Sequence, residues 1–350
     1  MTTSITIILL IWTCVFVYGM FACVDLGASI WYAWAYFRKR RDALYLIHGQ
    51  LSSFTWTIIH VFLIVIVVAM VCFFPPTAMF VATNLLGPAA AALFLMVLRG
   101  GFLALQAGRF RPSTVAAILH GGSGILLPLL LVTILPLSEG GSVHPVNGLL
   151  YVQPWSFLKS PLLWAFAALS VGSVLYLSAI QLAARAQKAG ALAVEREFTR
   201  AAARIFSLTW VAALATFACL HAFAPLHFSR LLQTWPALVS ATLLFPIVIW
   251  LLVRQHSRLA QLCAVTQYIL AASAYSLTHL PYLVYPYLTV DNAYTATLDL
   301  TDSVFDVIQT AIIFLIPAVW IGYQTHKHLR RKLEQPLEAA PDSNPKSKIG

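Results

Sequence analysis

A single carboxylate, that of Asp25, lies inside a long apolar run, residues 5–37, which closes at four consecutive cations, residues 38–41. At ~1.5 Å per helical residue, Asp25 lies roughly 18–20 Å from those cations, deep in a hydrocarbon layer about 30 Å thick. A charge facing lipid at that depth costs roughly 2.5–3.5 kcal/mol, so Asp25 is expected to face protein or water. Two interpretations stay open: Asp25 relays protons, or it makes a hydrogen bond between two helices.

Two further candidate residues, Trp56 and Arg99, fall at the predicted inner edge of the membrane. Tryptophan is common there as an interfacial anchor. Arg99 closes the third apolar run, where its side chain either reaches out to the interface or pairs with a buried carboxylate.

Four histidines fall at matching predicted depths, His60 with His120 near the inner side and His221 with His279 toward the outer side. Two such pairs are what a di-haem b-type cytochrome requires, because bis-histidine ligation needs facing helices at one level. Satisfied intramembrane histidines are the alternative. The five cysteines form no Cys-x-x-Cys pair, and we assign no metal site and no catalytic residue.

The elements that must position these residues are membrane helices, since the chain is 60% hydrophobic, only 10% charged and has a mean hydropathy of +0.82. This composition predicts an all-α polytopic membrane protein and excludes a soluble domain. Phosphate-binding loops, hydrolase motifs and nucleic-acid-binding patterns are absent from the sequence, so no nucleic-acid partner is expected. We predict nine apolar spans, at residues 5–37, 54–74, 77–98, 114–136, 161–183, 203–225, 237–253, 261–285 and 303–323.

The distribution of lysine and arginine predicts the orientation of these spans. With the N-terminus outside, every Lys and Arg except Lys159 and Arg230 falls on the inner side. Cytoplasmic loops carry such an excess, so a bacterial cell membrane with a cytoplasmic C-terminus is expected. We divide the chain into a first membrane half (1–183), a cytoplasmic connection that extends the flanking helices (184–204), the remaining spans (205–333) and a disordered cytoplasmic tail (334–350).

Several stretches, taken in order, resemble subunit II of cytochrome bd-type quinol oxidases, closest to the Gram-positive form. They are Asp25-Leu26-Gly27 before the basic turn, Trp56 through His60 opening the second span, Phe73-Phe74-Pro75, Leu98-Arg99-Gly100-Gly101-Phe102, Tyr285-Pro286-Tyr287, Asn292-Ala293, Ile316-Pro317 and Tyr323-Gln324. The likeness covers nearly the whole membrane part.

This resemblance implies nine transmembrane helices, arranged as two four-helix bundles plus one peripheral helix. It implies a partner, cytochrome bd subunit I, which carries haems b and d and the quinol site, so that this chain binds no cofactor and meets the quinol pool only through its partner. The complex oxidises quinol and reduces dioxygen with inner protons. Within it, the chain is not catalytic alone, supports subunit I and contributes to a proton path.

The sequence departs from the family pattern after Trp56, where the usual carboxylate is replaced by Thr57 and the next polar residue is His60. A hydroxyl relays a proton through water but does not store one near neutral pH. Imidazole titrates near pH 6.5 when unperturbed, so His60 is the residue that would substitute. The departure favours two other interpretations over this one, a structural subunit or a proton path elsewhere in the complex.

A transporter remains the main alternative to a quinol oxidase subunit, ahead of a free-standing di-haem cytochrome. Transporters have helices broken near mid-membrane in both halves. Pro128, Pro246 and Pro317 are candidate breaks, but they form no matched pair.

Overall fold

The structure is a computed structural model that describes residues 2–51, 55–106, 112–146 and 148–295. The helices of this part are α1 Thr2–Phe37, α2 Arg41–Leu51, α3 Thr55–Phe73, α4 Pro75–Asn84, α5 Leu86–Gln106, α6 Thr114–Leu131, α7 Ile134–Ser138, α8 Pro154–Lys159, α9 Pro161–Lys188, α10 Leu192–Phe223, α11 Pro225–Leu231, α12 Trp235–Val253, α13 Ser257–His279 and α14 Val290–Ala293. A 3₁₀ turn, Leu232–Thr234, joins α11 to α12. Two short antiparallel hairpins pair β1 Val143–Val146 with β2 Leu149–Val152, and β3 Tyr282–Val284 with β4 Leu288–Thr289.

Within the described residues, six segments are long and apolar enough to cross a membrane, or seven if α3 and α4 form one bent span. The membrane prediction is therefore confirmed, whereas the count of nine stays a prediction. The ninth predicted span, 303–323, and the predicted tail, 334–350, lie outside the described residues. The eighth, 261–285, corresponds to α13, a helix that is not among the six and that ends at His279, before β3.

The third predicted span, 77–98, is wrong as a single helix. Pro75 and Pro76 begin α4 directly after α3, and the two helices are bent by 119° at that break. Proline suits a helix start because its missing N–H would be unpaired there anyway. The chain breaks again at Leu85, and α5 then continues past Arg99 to Gln106. Arg99 is therefore inside a helix and not at its end.

The predicted extension of the helices that flank residues 184–204 is confirmed. Helix α9 runs to Lys188 and α10 begins at Leu192, so only residues 189–191 separate them. The sixth predicted span, 203–225, corresponds to the second part of α10, which ends at Phe223. The proposed domain boundaries themselves remain predictions.

Helix α1 is central, packing against α3, α6 and α9. Glycines allow α1 to approach α9 and α6 closely. A Cβ on Gly27 would lie 2.1 Å from Ser178 Oγ and 2.4 Å from the carbonyl oxygen of Val174 in α9. A Cβ on Gly124 in α6 would lie 2.7 Å from the carbonyl oxygen of Leu26. Small residues at such crossings let helix backbones approach closely, which fixes Asp25 within the protein.

The two ends of α1 have different surroundings, and we call them the amino end and the basic end. At the amino end, Ser4 donates a hydrogen bond to Asp291 at 3.1 Å, beside the β3–β4 hairpin. At the basic end, Arg40 pairs with Glu197 of α10 at 2.8 Å. This second pair is exposed, so it contributes little to stability.

Candidate functional site

A buried ion pair joins Asp25 on α1 to Arg99 on α5. Arg99 Nη2 lies 2.6 Å from Asp25 Oδ2, and the two side chains are 4% and 3% exposed, respectively. The same nitrogen donates to Ser29 Oγ at 2.7 Å, and the Ser29 hydroxyl donates to the Asp25 carbonyl oxygen at 3.1 Å. The sequence left two interpretations of Arg99 open, and the structure has the second of them, a side chain paired with a buried carboxylate. Because both charges are desolvated, removing either side chain would leave the other as an unpaired buried charge.

The ion pair leaves some polar atoms without partners. Among the described residues, Asp25 Oδ1, Arg99 Nε and the nearby Tyr18 hydroxyl make no hydrogen bond. Asp25 therefore has one oxygen committed to Arg99 and one available for water or a proton. The geometry allows Asp25 to act either as a fixed helix contact or as one station in a proton path.

The other predicted site residues lie on α3, which packs against α1. His60 is half-buried there. Trp56 and Thr57 belong to the first turn of α3, and their side chains lie outside the described part of the structure. The structure thus brings Asp25 and Arg99 together and leaves the roles of Trp56, Thr57 and His60 as predictions.

The histidine pairs expected from sequence depth do not form at the amino end. His221 on α10 is exposed, and its ring centre lies 4.8 Å from that of Phe228. His279 instead faces His227 of α11, with ring centres 4.9 Å apart. The matching depths of His221 and His279 therefore do not make them a pair, because the short helix α11 places His227 beside His279.

His120 on α6 is fully buried among aromatic rings. Its ring centre lies 5.3 Å from that of Tyr32 and 6.3 Å from that of Phe102. Neither ring nitrogen has a hydrogen-bond partner within the described ranges. The visible role of His120 is therefore to fill space between α1, α5 and α6.

A second buried polar cluster lies near the amino end and consists of Glu139, His227, His279 and Tyr275. We call it the Glu139 cluster. Glu139 Oε1 accepts a hydrogen bond from the Tyr275 hydroxyl at 2.6 Å and lies 2.8 Å from His227 Nδ1. His279 Nδ1 lies 3.8 Å from the same oxygen, beyond hydrogen-bond length. The side chains of Glu139 and His227 are each 1% exposed.

Separate elements hold the members of this cluster. Glu139 directly follows α7, His227 lies on α11, and Tyr275 and His279 are one turn apart on α13. The rings of Tyr275 and His279 stack with a 17° angle between their planes. This stacking fixes the orientation of the His279 imidazole toward Glu139.

Gly140 explains how the carboxylate of Glu139 is placed. Its φ is +74°, and a Cβ there would lie 1.6 Å from the carbonyl oxygen of Tyr285. The backbone N–H of Tyr285 in turn donates to the carbonyl oxygen of Ser138 at 2.8 Å. Only glycine fits such a left-handed, crowded position without strain. The loop after Glu139 is therefore closed against the residues that follow β3.

Electrostatics favour an ionised Glu139. Burial alone would raise the pKa of Glu139, but the hydrogen bonds from His227 and the Tyr275 hydroxyl, and the positive charge that either histidine carries when protonated, outweigh burial and lower the pKa. The cluster can hold a shared proton or a cation between carboxylate and imidazole groups.

Sequence reasoning missed Glu139, His227 and Tyr275. Their positions are far apart in the chain, and no local motif joins them. The available signal was that Glu139 is one of only 12 acidic residues and lies in a Ser-Glu-Gly-Gly-Ser turn close after the fourth predicted span. Such isolated carboxylates are expensive to bury without partners.

Comparison with known proteins gives full-length matches. The family model described as cytochrome bd terminal oxidase subunit II matches residues 3–327. A Bacillus subtilis (strain 168) protein, provisionally named cytochrome bd menaquinol oxidase subunit II, is 27% identical over 343 residues, covering 95% of this chain and 98% of that protein. A chain in the structure of bd oxidase from Geobacillus thermodenitrificans has 30% sequence identity and a TM-score of 0.76, covering 92% of this chain and 97% of that one.

Proposed function

The chain belongs to the cytochrome bd terminal oxidase subunit II family, and we propose that it is the haem-free membrane subunit that supports a cytochrome bd subunit I. The observation that carries this proposal is the extent of the match, because nearly all of this chain aligns with nearly all of a chain from a solved bd oxidase. A partial match would leave room for a shared fold with another activity. Membership makes the protein a subunit of an oxidoreductase complex.

The proposed partner has room to bind on the membrane-facing helices. Helix α9 is the most enclosed of the candidate spans, whereas the spans containing α5 and α12 are the least enclosed. Large apolar side chains such as Phe94 and Trp250 are more than half exposed on these helices. In a bilayer such faces meet either lipid or another membrane subunit, and we assign part of them to subunit I.

The redox chemistry is proposed to reside in the partner. Subunit I would hold haems b and d and the quinol site. This chain would bind no cofactor of the redox reaction, and it would reach the quinol pool only through subunit I. The Bacillus subtilis relative is named for menaquinol, which supports menaquinol as the electron donor. Oxygen uptake by the purified complex with menaquinol and ubiquinol analogues tests this choice, and faster uptake with ubiquinol would contradict it.

The proposed arrangement has nine helices in two four-helix bundles plus one peripheral helix, with the N-terminus outside and the C-terminus in the cytoplasm. The Arg40–Glu197 pair would then lie at the inner surface, and the Glu139 cluster would lie toward the outer one. Single cysteines introduced at the exposed positions His144 and Arg196 of a variant without the native cysteines, followed by labelling of intact cells with an impermeant maleimide, test this orientation. Labelling at Arg196 but not at His144 would indicate the opposite orientation.

The Asp25–Arg99 pair is proposed to hold α5 against α1, with proton relay by Asp25 as the alternative favoured by its unpartnered Oδ1. Asp25→Asn separates the two roles in the assembled complex. Loss of subunit assembly and haem content supports the helix contact. Slow turnover with normal haem content supports relay. Asp42→Asn, which removes an exposed carboxylate at the basic end, is the matched control.

Isolation of the tagged chain in mild detergent, followed by a visible spectrum, tests the proposal as a whole. A haem-rich partner and quinol oxidase activity should accompany the chain. A Soret band from this chain alone, abolished by replacing His60 or His221, would indicate a b-type cytochrome. A colourless, solitary chain that carries a solute across liposomes would indicate a transporter.

A further inference from the structure

We propose that Glu139, His227 and His279 form a binding site for one divalent transition metal ion, best matched by zinc(II). The three residues each offer one ligand atom, and these atoms all lie within 4.8 Å of one another in the interior of the protein. The inference concerns this chain alone and goes beyond its proposed role as an oxidase subunit.

The distances fit a four-coordinate ion after small side-chain movements. Zinc bonds to imidazole and carboxylate ligands are about 2.0–2.2 Å long, so neighbouring ligands of a tetrahedral ion lie roughly 3.4 Å apart. In the structure, Glu139 Oε1 lies 2.8 Å from His227 Nδ1 and 3.8 Å from His279 Nδ1. The two separations fall on either side of the ideal value.

The hydrogen bonds of His227 place its proton where a metal ligand needs it. His227 Nε2 lies 3.2 Å from the carbonyl oxygen of Tyr275, which only accepts, so Nε2 carries the hydrogen. The same nitrogen lies 3.1 Å from Thr278 Oγ1, whose own hydrogen goes to the Ala274 carbonyl oxygen at 2.7 Å. Nδ1 faces Glu139 Oε1, and the proton that it donates to this oxygen in the absence of an ion is displaced when a metal binds. Metal-binding histidines are characteristically held in this way, with the second ring nitrogen donating to a backbone carbonyl.

Unpartnered polar atoms at the same place give an independent indication. Glu139 Oε2 and both ring nitrogens of His279 have no well-formed hydrogen bond among the residues described, and the His279 ring has only a weak contact with the backbone of Leu283. Both side chains are buried, at 1% and 6% exposure. Buried polar groups are nearly always satisfied, so a cluster that leaves three such atoms together points to a missing ligand. A cation between Glu139 and His279 Nδ1 satisfies that ring nitrogen, and binding through both carboxylate oxygens satisfies Oε2 as well.

The ligand types select the class of ion. Two neutral imidazoles and one carboxylate suit zinc and its transition-metal neighbours, whereas magnesium and calcium prefer oxygen ligands throughout. A doubly charged ion with one carboxylate leaves a single net positive charge, and the Tyr275 hydroxyl remains to hold the carboxylate in place. A water molecule supplies the fourth ligand.

The consequence of metal binding is structural. The ion would link the end of α7, the short helix α11 and the end of α13, three segments that meet near the amino end. Enclosure of the site argues against a reacting substrate. We therefore expect the ion to fix the α7–β1 loop and α11 rather than to take part in oxygen reduction.

The test is the zinc content of the purified complex, isolated without chelator through a tag that lacks histidine, before and after incubation with zinc alone and removal of excess ion. We expect one tightly held zinc per copy of this chain. The site should be lost in Glu139→Gln, His227→Gln and His279→Gln, and retained in the control His221→Gln. Zinc K-edge absorption spectroscopy should show two imidazoles and oxygen ligands.

Several results would overturn the proposal. One is a wild-type complex that retains no zinc after incubation, which needs no variant and so does not depend on whether the variants fold. Another is equal zinc in the wild type and all three ligand variants, which would place the ion elsewhere. Because zinc is measured directly, failure of a haem-bearing partner to co-purify would contradict the proposed function without affecting this result.

Discussion

The Asp25–Arg99 pair and the Glu139 cluster are equally buried but differ in how their charge is balanced. Arg99 meets Asp25 with a permanent opposite charge and a 2.6 Å contact. Among the described residues, the side chains that contact the Glu139 carboxylate are imidazoles and a hydroxyl, and the two ring nitrogens of His279 have no well-formed hydrogen bond. Arginine does not deprotonate inside proteins, whereas imidazole changes its proton or ligand state readily. The first centre is thus suited to a fixed contact, and the second to binding a proton or a cation.

Both centres depend on a neighbouring glycine that brings a backbone close. Gly27 lets α1 approach α9 beside Asp25, and Gly140 lets the loop after Glu139 approach Tyr285. A buried charge needs close packing around it to exclude competing water. In both places the packing is close because the glycine has no side chain to hold the neighbouring backbone away. The comparison predicts large effects from removing a charge partner and smaller ones from removing a supporting group.

The largest effect is expected from Arg99→Met, which leaves the Asp25 carboxylate buried without its cation. Breaking a buried pair from one side costs about 3–5 kcal/mol. We expect the complex to lose haem and activity on mild heating, measured as the midpoint of thermal inactivation. The exposed Arg258→Met is the control.

The double variant Asp25→Leu/Arg99→Met sharpens this test. Apolar replacement of a whole buried ion pair is often neutral or stabilising, so the double variant should recover much of the stability that Arg99→Met loses. If Arg99→Met is as stable as the wild type, the pair does not hold α1 to α5.

The next effect is expected from Gly140→Ala. The new Cβ would overlap the Tyr285 carbonyl oxygen, and the residue would stay in a left-handed conformation. Overpacking costs about 1–3 kcal/mol and a left-handed backbone about 1–2 kcal/mol more. Thermal inactivation should begin at a lower temperature.

Gly141→Ala provides the matched control for this change, because a Cβ at Gly141 meets nothing within 4 Å. The proposed zinc content should fall in Gly140→Ala and stay constant in Gly141→Ala. Equal stability of the two variants would mean that the loop after Glu139 adjusts freely, which contradicts a tightly fixed Glu139 cluster.

A smaller effect is expected from Tyr275→Phe, which removes the 2.6 Å hydrogen bond to Glu139 and keeps the ring that stacks on His279. A hydrogen bond to a charged group contributes about 1.5–3 kcal/mol. The variant should lower thermal stability and weaken zinc binding without abolishing it. Tyr176→Phe is the control, since that buried hydroxyl has no partner in the described part of the chain. Complete loss of zinc would instead make Tyr275 a ligand.

The sequence predicted the family and the membrane character, and both are confirmed, because apolar run length and the order of short motifs are local properties. It also predicts that Asp25 faces protein or water, and it gives Arg99 two interpretations, an interfacial cation or the partner of a buried carboxylate. The partnership itself was left open because two residues 74 positions apart carry no local sign of contact. Arg99 was read as a helix end, since a lone cation after an apolar run usually marks the membrane surface.

The Glu139 cluster was missed for a related reason. Its ligands come from three separate segments, and the spacing of metal ligands is recognisable in sequence only when two of them share a helix or loop. His227 also lies on α11, a helix of seven residues that periodicity does not reveal. The assignment of no metal site thus rested on the absence of local motifs.

The smallest effect is expected from Thr57→Glu, which restores the carboxylate that the family usually has after Trp56. If Asp25 is a fixed contact and this complex takes its protons by another path, a carboxylate in the first turn of α3 should leave oxygen uptake nearly unchanged. Thr57→Gln has the same shape without the charge and serves as its comparison. Clearly faster oxygen uptake by the Thr57→Glu complex, at equal haem content, would contradict this expectation. It would show that protons do pass along α3 and that the Thr57 hydroxyl limits their passage, since a hydroxyl relays protons but does not store them.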